Sequence, residues 1–377
     1  MKVAIVHDWL TLTGGAERVL EQMLDLFPDA DLFCTVCFLP EEDRGLIGNR
    51  KVHTSFVQKL PFARKAYRKY LPLMPIAIEQ FDLSGYDLVL SSSHAVAKGV
   101  ITGPDQVHLC YIYSPIRYAW DLQHAYLKEA GVRGLSGLVA RLILHYMRIW
   151  DVRTSHGVDR FVAISHFISR RVRKAYGRSS MVVYPPVDIE RFPLRTDKED
   201  FYLTASRMVP YKRIPLLVEA FSRMPDRRLV VIGDGPDMDL VRAAAGANVQ
   251  ILGRQSDAVM TDHMSRAKAF LYAAEEDFGI VPLEAQACGT PVVAYGRGGS
   301  LETIRGRDGI GQTGIFFPEQ TVDAIVAAIE HLDTRTIASV DCRENAERFS
   351  RQAFRDGLMA VVSQAMADHR QEACLGR

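Results

Sequence analysis

The sequence predicts an α/β protein of two doubly wound parallel-sheet domains with a ligand cleft between them. Three observations carry this expectation. Short continuous apolar runs alternate with amphipathic helical patterns along almost the whole chain, as parallel strands covered on both faces by helices require. The prolines of Pro185-Pro186-Val187-Asp188 and Pro193 break that rhythm at mid-chain, and it restarts at Phe201. The 377 residues also exceed what one ordinary core organises. Hydrophobic residues at 48% and charged residues at 24% fit a globular chain. A net charge of +1 excludes bulk electrostatic attraction to nucleic acid, so any basic function is local.

The first domain is expected over residues 1–186, with strands near 2–7, 32–38, 87–91, 107–112, 160–164 and 181–184. Helical patterns there cover 16–26 and 165–175. The second is expected over 187–349, with strands near 201–204, 228–232, 249–252, 269–272 and 291–294. Its helical patterns cover 215–223, 236–244, 256–267 and 280–288. A helical tail at about 350–370 is expected to pack back on the first domain, with Phe354, Leu358, Val361 and Val362 on its apolar face.

The start, Met1 to His7, reads as a buried strand and not as a secretory signal. Apolar stretches stay short of the ~18 residues that a spanning helix needs. The expected location is the cytoplasm, including the inner face of the cytoplasmic membrane. Cys34 and Cys37 are the one close cysteine pair and fall in a strand-like run, so they read as structural; Cys110 and Cys288 read as buried reduced thiols. No metal site is expected.

Three segments carry chemistry. Gly14-Gly15 precedes a helix start, where free N–H groups face an anion or the glycines simply make a tight turn. Ser206-Arg207-Met208-Val209-Pro210-Tyr211-Lys212 follows a strand, which puts a guanidinium and an ammonium at the sheet's carboxyl edge. Together they suit a diphosphate and the charge growing on a leaving nucleotide. In Glu276-Asp277-Phe278-Gly279-Ile280-Val281-Pro282-Leu283-Glu284, Gly279 opens a helix; Glu284 lies about a turn inside it and Glu276 just before it. Glu284 suits a ribose diol and Glu276 a transferred sugar.

In this order the motifs resemble the GT-B-fold retaining glycosyltransferases of family 4, with two Rossmann-like domains. The resemblance also takes in Ile232-Gly233-Asp234-Gly235-Pro236 and Gly289-Thr290-Pro291-Val292-Val293-Ala294, and so covers nearly the whole chain. It implies a nucleotide-sugar donor, retention at the anomeric carbon and no required metal or cofactor, with Arg207 and Lys212 in the metal's charge-neutralising place. It implies that Glu276 meets the donor sugar, Glu284 the ribose, and the backbone of Phe278, Gly279, Ile280 and Val281 the sugar and phosphate. Base recognition is expected in the loops near Gly253–Asp257 and Arg207–Pro210, and Ser206 and Gly253 are counted among the donor contacts.

The first-domain stretch Tyr111-Ile112-Tyr113-Ser114-Pro115-Ile116-Arg117-Tyr118-Ala119-Trp120-Asp121 resembles that of bacterial polysaccharide and O-antigen (lipopolysaccharide) mannosyltransferases. Many relatives carry a His where this chain has Tyr113, and a phenol is a poor base near neutral pH. Tyr113, Ser114, His94, His124 and Ser165 are the candidate acceptor or sugar contacts; each histidine also reads as structural, and Ser165 as a helix N-cap.

The activity implied is transfer of mannose from GDP-mannose to a lipid-linked or polysaccharide glycan. A sugar-nucleotide epimerase and a non-catalytic glycan-assembly module remain open beside it. The acid-free run Lys59–Leu71 suits an anionic membrane, a lipid-pyrophosphate acceptor or plain solvent. Leu138–Trp150 reads as a core helix or as a second such surface.

Overall fold

In the computed structural model, which describes residues 1–129 and 131–375, the chain forms two compact units. One is Met1–Tyr184 together with the chain from Phe354 onward, and the other is Pro185–Ala353.

The first unit holds a seven-stranded sheet of β1 (Val3–His7), β2 (Asp31–Cys34), β3 (Val52–Thr54), β4 (Leu88–Ser93), β5 (Val107–Ile112), β6 (Arg160–Ala163) and β7 (Met181–Val182). All neighbours pair in parallel, in the order β3-β2-β1-β4-β5-β6-β7. Every residue of β1, β4 and β5 is buried, which explains their continuous apolar runs. Around the sheet lie α1 (Gly15–Leu26), α2 (Ala63–Ala66), α3 (Met74–Glu79), α4 (Gln123–Glu129), α5 (Gly134–Ser155) and α6 (His166–Tyr176). Ser165 caps α6, its Oγ accepting from the Ile168 N–H at 3.1 Å, and Gly177 ends the helix at φ +67°.

One core joins Val6 and Val89 of the sheet to Met74 and Ile78 of α3 and to Met147 and Trp150 of α5. Gly99 is required there, because a Cβ would lie 2.2 Å from the Trp150 ring. Beside it the buried Lys98 meets Asp151 at 2.8 Å, and the Trp120 indole N–H and the Tyr176 hydroxyl donate to the same carboxylate. A buried charge pair of this kind persists only with such added hydrogen bonds.

The second unit has a six-stranded parallel sheet of β8 (Glu199–Ala205), β9 (Leu229–Ile232), β10 (Val249–Gly253), β11 (Ala267–Tyr272), β12 (Val292–Tyr295) and β13 (Gly314–Phe317), in the order β10-β9-β8-β11-β12-β13. Its helices are α7 (Ile214–Ser222), α8 (Met238–Ala244), α9 (Asp257–Arg266), α10 (Ile280–Ala287), α11 (Ser300–Thr303), α12 (Val322–Asp333) and α13 (Ser339–Glu347). The last helix, α14 (Arg351–Leu375), joins the first unit from Phe354. There Phe354 packs edge-on against Tyr111, and Arg355 donates to Gln22 and Asp25 at 2.9 and 2.8 Å. In each sheet the strand order reverses, at β1/β4 and at β8/β11. Open α/β sheets bind ligands beyond the carboxyl ends of strands at such a point.

Three expectations change. β3 and β13 are additional strands. The expected strand 32–38 stops at Cys34, because the chain then turns to bond the loop after β1: the Thr35 N–H reaches Asp8 O at 3.1 Å, and the Phe38 N–H reaches Leu10 O at 2.7 Å. α5 is a core helix on one face only, since its opposite apolar face is exposed.

Candidate functional site

In the second unit the site assembles at the reversal point of the sheet. β8 ends at Ala205, and the chain then lifts Ser206 and Arg207 over its carboxyl end. That loop is pinned by glycines of the neighbouring β9 loop. The Ser206 N–H donates to Ile232 O at 3.0 Å, and the Met208 N–H donates to Asp234 O at 2.9 Å. Gly233 (φ +135°) would place a Cβ 1.9 Å from Ser206 O. The Gly233 N–H in turn donates to Gly253 O at 2.9 Å, which brings the end of β10 into the same cluster. Gly233→Ala is therefore expected to lower the thermal midpoint of the second unit, by about 1–3 kcal/mol of stability or more, and to disturb the Arg207 loop; differential scanning calorimetry of the full chain checks this.

Arg207 is exposed, while Lys212 turns back and is part-buried. Its ammonium pairs with Oε1 of Glu276, and the Tyr272 hydroxyl donates to Oε2 of the same carboxylate. The Lys212 Nζ lies 5.3 Å from the centres of both the Tyr211 and Tyr272 rings. The structure thus joins Lys212, after β8, to Glu276, after β11. The two side chains offset each other's charge.

Gly298 (φ +69°) and Gly299, after β12, hold the Glu276–Phe278 backbone from the other side. The Gly299 N–H donates to Glu276 O at 2.7 Å. A Cβ on Gly298 would lie 2.4 Å from that oxygen, and one on Gly299 2.3 Å from Phe278 Cα. Gly279 (φ +92°) opens α10, so the N–H groups of Ile280 and Val281 stand at the helix start. Glu284 follows one turn later, buried at 5% exposure; its charge is among those that raise the Arg191 pKa, behind the Asp257 hydrogen bond. Tyr272, Gly298 and Gly299 escaped the sequence reading. The glycine-rich run Gly296-Arg297-Gly298-Gly299 after an apolar strand was the signal available.

The first unit builds a second polar cluster at its own reversal point. Asp8, fully buried after β1, accepts the backbone N–H groups of His94, Ala95, Val96 and Ala97 at 2.5–3.1 Å, and His94 Nδ1 lies 2.9 Å away. Burial alone would raise its pKa; the His94 charge and these hydrogen bonds override that and hold the carboxyl well below the usual range. Burial pulls His94 down, but Asp8 outweighs it and raises the imidazole above its ordinary value. The His94 side chain is 31% exposed, with its ring edge-on to Trp9 at 4.6 Å.

Tyr113 does a different job. Its hydroxyl donates to Ala16 O at 3.0 Å and meets Ser92 Oγ at 2.9 Å, and Ser92 Oγ lies 3.0 Å from His7 Nδ1. The phenol thus ties β5 to the first turn of α1. Burial pushes its pKa well above the usual value, so it stays protonated. At the helix start the Gly14 N–H donates to Glu17 at 3.0 Å, so a carboxylate already occupies that donor. Gly15 is exposed beside it. The Ser114 Oγ is buried without a hydrogen-bond partner among the described residues. His124 is exposed on α4, on a separate segment, and Ser165 is engaged as the α6 cap. Asp8 escaped the sequence reading, because its partners lie far along the chain.

Two family profiles match the chain: "Glycosyltransferase Family 4" over residues 13–191 and "Glycosyl transferases group 1" over 186–349. A "D-inositol 3-phosphate glycosyltransferase" of Geodermatophilus obscurus is 33% identical over 241 residues, 55% of this chain and 53% of that protein. A "GDP-mannose-dependent alpha-(1-6)-phosphatidylinositol monomannoside mannosyltransferase" of Mycolicibacterium smegmatis is 30% identical over 225 residues, 50% of this chain and 57% of that protein. The chain spans about half the length of the curated relatives it matches. Among solved structures, sucrose-phosphate synthase of Thermosynechococcus elongatus superposes with a TM-score of 0.70 at 17% identity, covering 98% of this chain and 100% of that one. HepE of Anabaena in complex with UDP superposes with a TM-score of 0.68 at 17% identity, covering 97% and 100%. Two parallel α/β sheets and profiles that together run from residue 13 to 349 place the chain in glycosyltransferase family 4, with the GT-B fold.

Proposed function

We propose that the protein is a retaining hexosyltransferase that moves mannose from GDP-mannose onto a lipid-linked or polysaccharide glycan. The observation that carries the reading is the Lys212–Glu276 pair beside the start of α10, at the carboxyl ends of β8 and β11. In this reading the donor diphosphate takes the Lys212 ammonium from Glu276, and Arg207 adds a second cation. Glu276 is released to accept from sugar hydroxyls, and Glu284 accepts from the ribose diol. The bond from the anomeric carbon to the phosphate oxygen breaks as an acceptor hydroxyl bonds that carbon on the same face. The acceptor proton passes to the departing phosphate. The two cations stabilise the charge that develops there, without a resident metal. In the first unit, His94, whose protonated form Asp8 favours, and the partnerless Ser114 hydroxyl are the candidate contacts for an acceptor hydroxyl. The mannose and guanine preference rests on the relatives' names, four of which specify GDP-mannose.

The test incubates the full chain with each common sugar nucleotide and a membrane glycan extract, then measures free nucleoside diphosphate and the anomeric configuration of the product. GDP release with an α-mannosyl product, at a rate unchanged by a chelator, is expected. A donor isomerised with no acceptor present would instead establish an epimerase, and an inverted product would overturn retention.

A further inference from the structure

α5 presents two apolar faces. One packs into the first unit through Leu144, Met147 and Trp150. The other carries Leu135, Leu138, Val139, Leu142, Tyr146 and Ile149, all exposed, with Leu135 at 78%, Leu142 at 60% and Ile149 at 59%. At 3.6 residues per turn these six fall within an arc of about 100°, a continuous stripe about four turns long. Scattered exposed leucines need no explanation, but an aligned set does.

The exposed charges of α5 itself have one sign, with the part-buried Glu79 of α3 the acid near Tyr146. Arg133, Arg141 and Arg153 are exposed on or just before α5, whereas its one acid, Asp151, is buried on Lys98. The neighbouring α3, tied to α5 by the Trp150 indole N–H donating to Glu79 at 2.7 Å, exposes Ile76. The segment leading into it exposes Arg64, Lys65, Arg68 and Lys69 without an acid, and Phe62 at 82%. Phe62 holds φ +56°, an uncommon conformation for a bulky residue, and it does so with its ring in water. The whole chain carries only +1, so this cationic excess is local.

We propose that this face of the first unit docks on an anionic phospholipid surface. The α5 stripe enters the boundary between headgroups and acyl chains, and the arginines and lysines around it meet lipid phosphates. An in-plane helix with an apolar stripe and basic flanks has this chemistry. α5 lies on the bilayer and does not span it, since no helix among the described residues is long and apolar enough to cross a membrane. A second copy of the chain fits less well, because a two-fold interface on this face would set its arginines near their own copies. The proposal is independent of the donor and the reaction.

The test is co-sedimentation of the full chain with vesicles of phosphatidylcholine, alone or with 30% phosphatidylglycerol. The wild type is expected to pellet with the anionic vesicles and to be released by salt. Leu138→Gln, Leu142→Gln and Ile149→Gln combined are expected to weaken the partition coefficient by at least about tenfold. Arg133→Ala and Arg141→Ala are each expected to weaken it about fivefold. Circular dichroism and an unchanged thermal midpoint establish that these surface variants remain folded, and the single arginine variants decide if the triple variant does not. Vesicle binding unchanged in the folded variants would overturn the proposal. So would absence of vesicle binding, including the case of a wild-type dimer that the glutamines dissolve.

Discussion

Lys212→Ala is expected to lower kcat by about 10²–10³-fold, the scale of removing one preorganised donor to a developing oxyanion. The loss should appear more in kcat than in KM, because charge on the departing phosphate grows toward the transition state. The substitution also strips Glu276 of its cation, leaving that carboxylate with the Tyr272 hydroxyl beside the donor's phosphates. Lys212→Ala/Glu276→Gln is therefore expected to recover part of the donor affinity, since it removes the uncompensated charge. Arg207→Ala tests the second cation. Arg207 is exposed and its loop is held by backbone bonds through Met208, so its loss should leave the fold intact and lower turnover. Steady-state kinetics with a matched donor checks all three. Near-wild-type turnover in Lys212→Ala would remove Lys212 from its role.

Asp8→Asn is expected to destabilise the first unit by about 3–5 kcal/mol, the cost of breaking a buried charge network from one side. The two carboxylate oxygens accept four backbone N–H groups between them, two each. An amide turns one of those oxygens into a donor facing donors. The pH dependence follows from the two shifts. Asp8 is depressed in the fold, so its contribution is present above about pH 4, the unfolded carboxyl value, and is lost only as pH falls toward its lower folded value. His94 is raised, so its contribution is complete below about pH 6.5 and disappears as pH rises through its higher folded value. The pair is thus worth most between these limits. The gap between wild type and variant should narrow on the alkaline side without closing, because the four N–H bonds persist. Urea unfolding at several pH values reads the stability, and NMR titration reads His94, whose pKa should fall in the variant as burial is then opposed by the Glu17 charge without Asp8.

The parts legible in the sequence are those where one local signal decides. β1, β4 and β5 are buried on both faces and so appear as unbroken apolar runs. β3 is three half-buried residues at the sheet's edge, and β13 is four residues opening on a glycine; both are too short to show a period. The Arg207–Lys212 and Glu276–Glu284 segments were found because each follows a strand, and the structure brings Lys212 and Glu276 together. Asp8 could not be found this way, since its meaning depends on amides more than eighty residues distant. Gly298 and Gly299 matter only through the backbone they approach. The outer face of α5 shows the converse limit: apolar periodicity marks which residues share a face but does not say what covers it.

The central claim is that the second unit holds a nucleoside diphosphate through Lys212, with Glu276 displaced from it. Thermal unfolding of the full chain against matched nucleoside, monophosphate and diphosphate, in wild type and Lys212→Ala, tests it most directly. A ligand that binds only the folded state stabilises it by RT ln(1 + L/Kd), with L its free concentration, and so raises the midpoint more the tighter it binds at a given concentration. The account predicts a guanosine diphosphate shift well above those of guanosine monophosphate and guanosine in the wild type, and a much smaller difference in the variant. Equal shifts from monophosphate and diphosphate, or a diphosphate shift that survives the loss of Lys212, would contradict it.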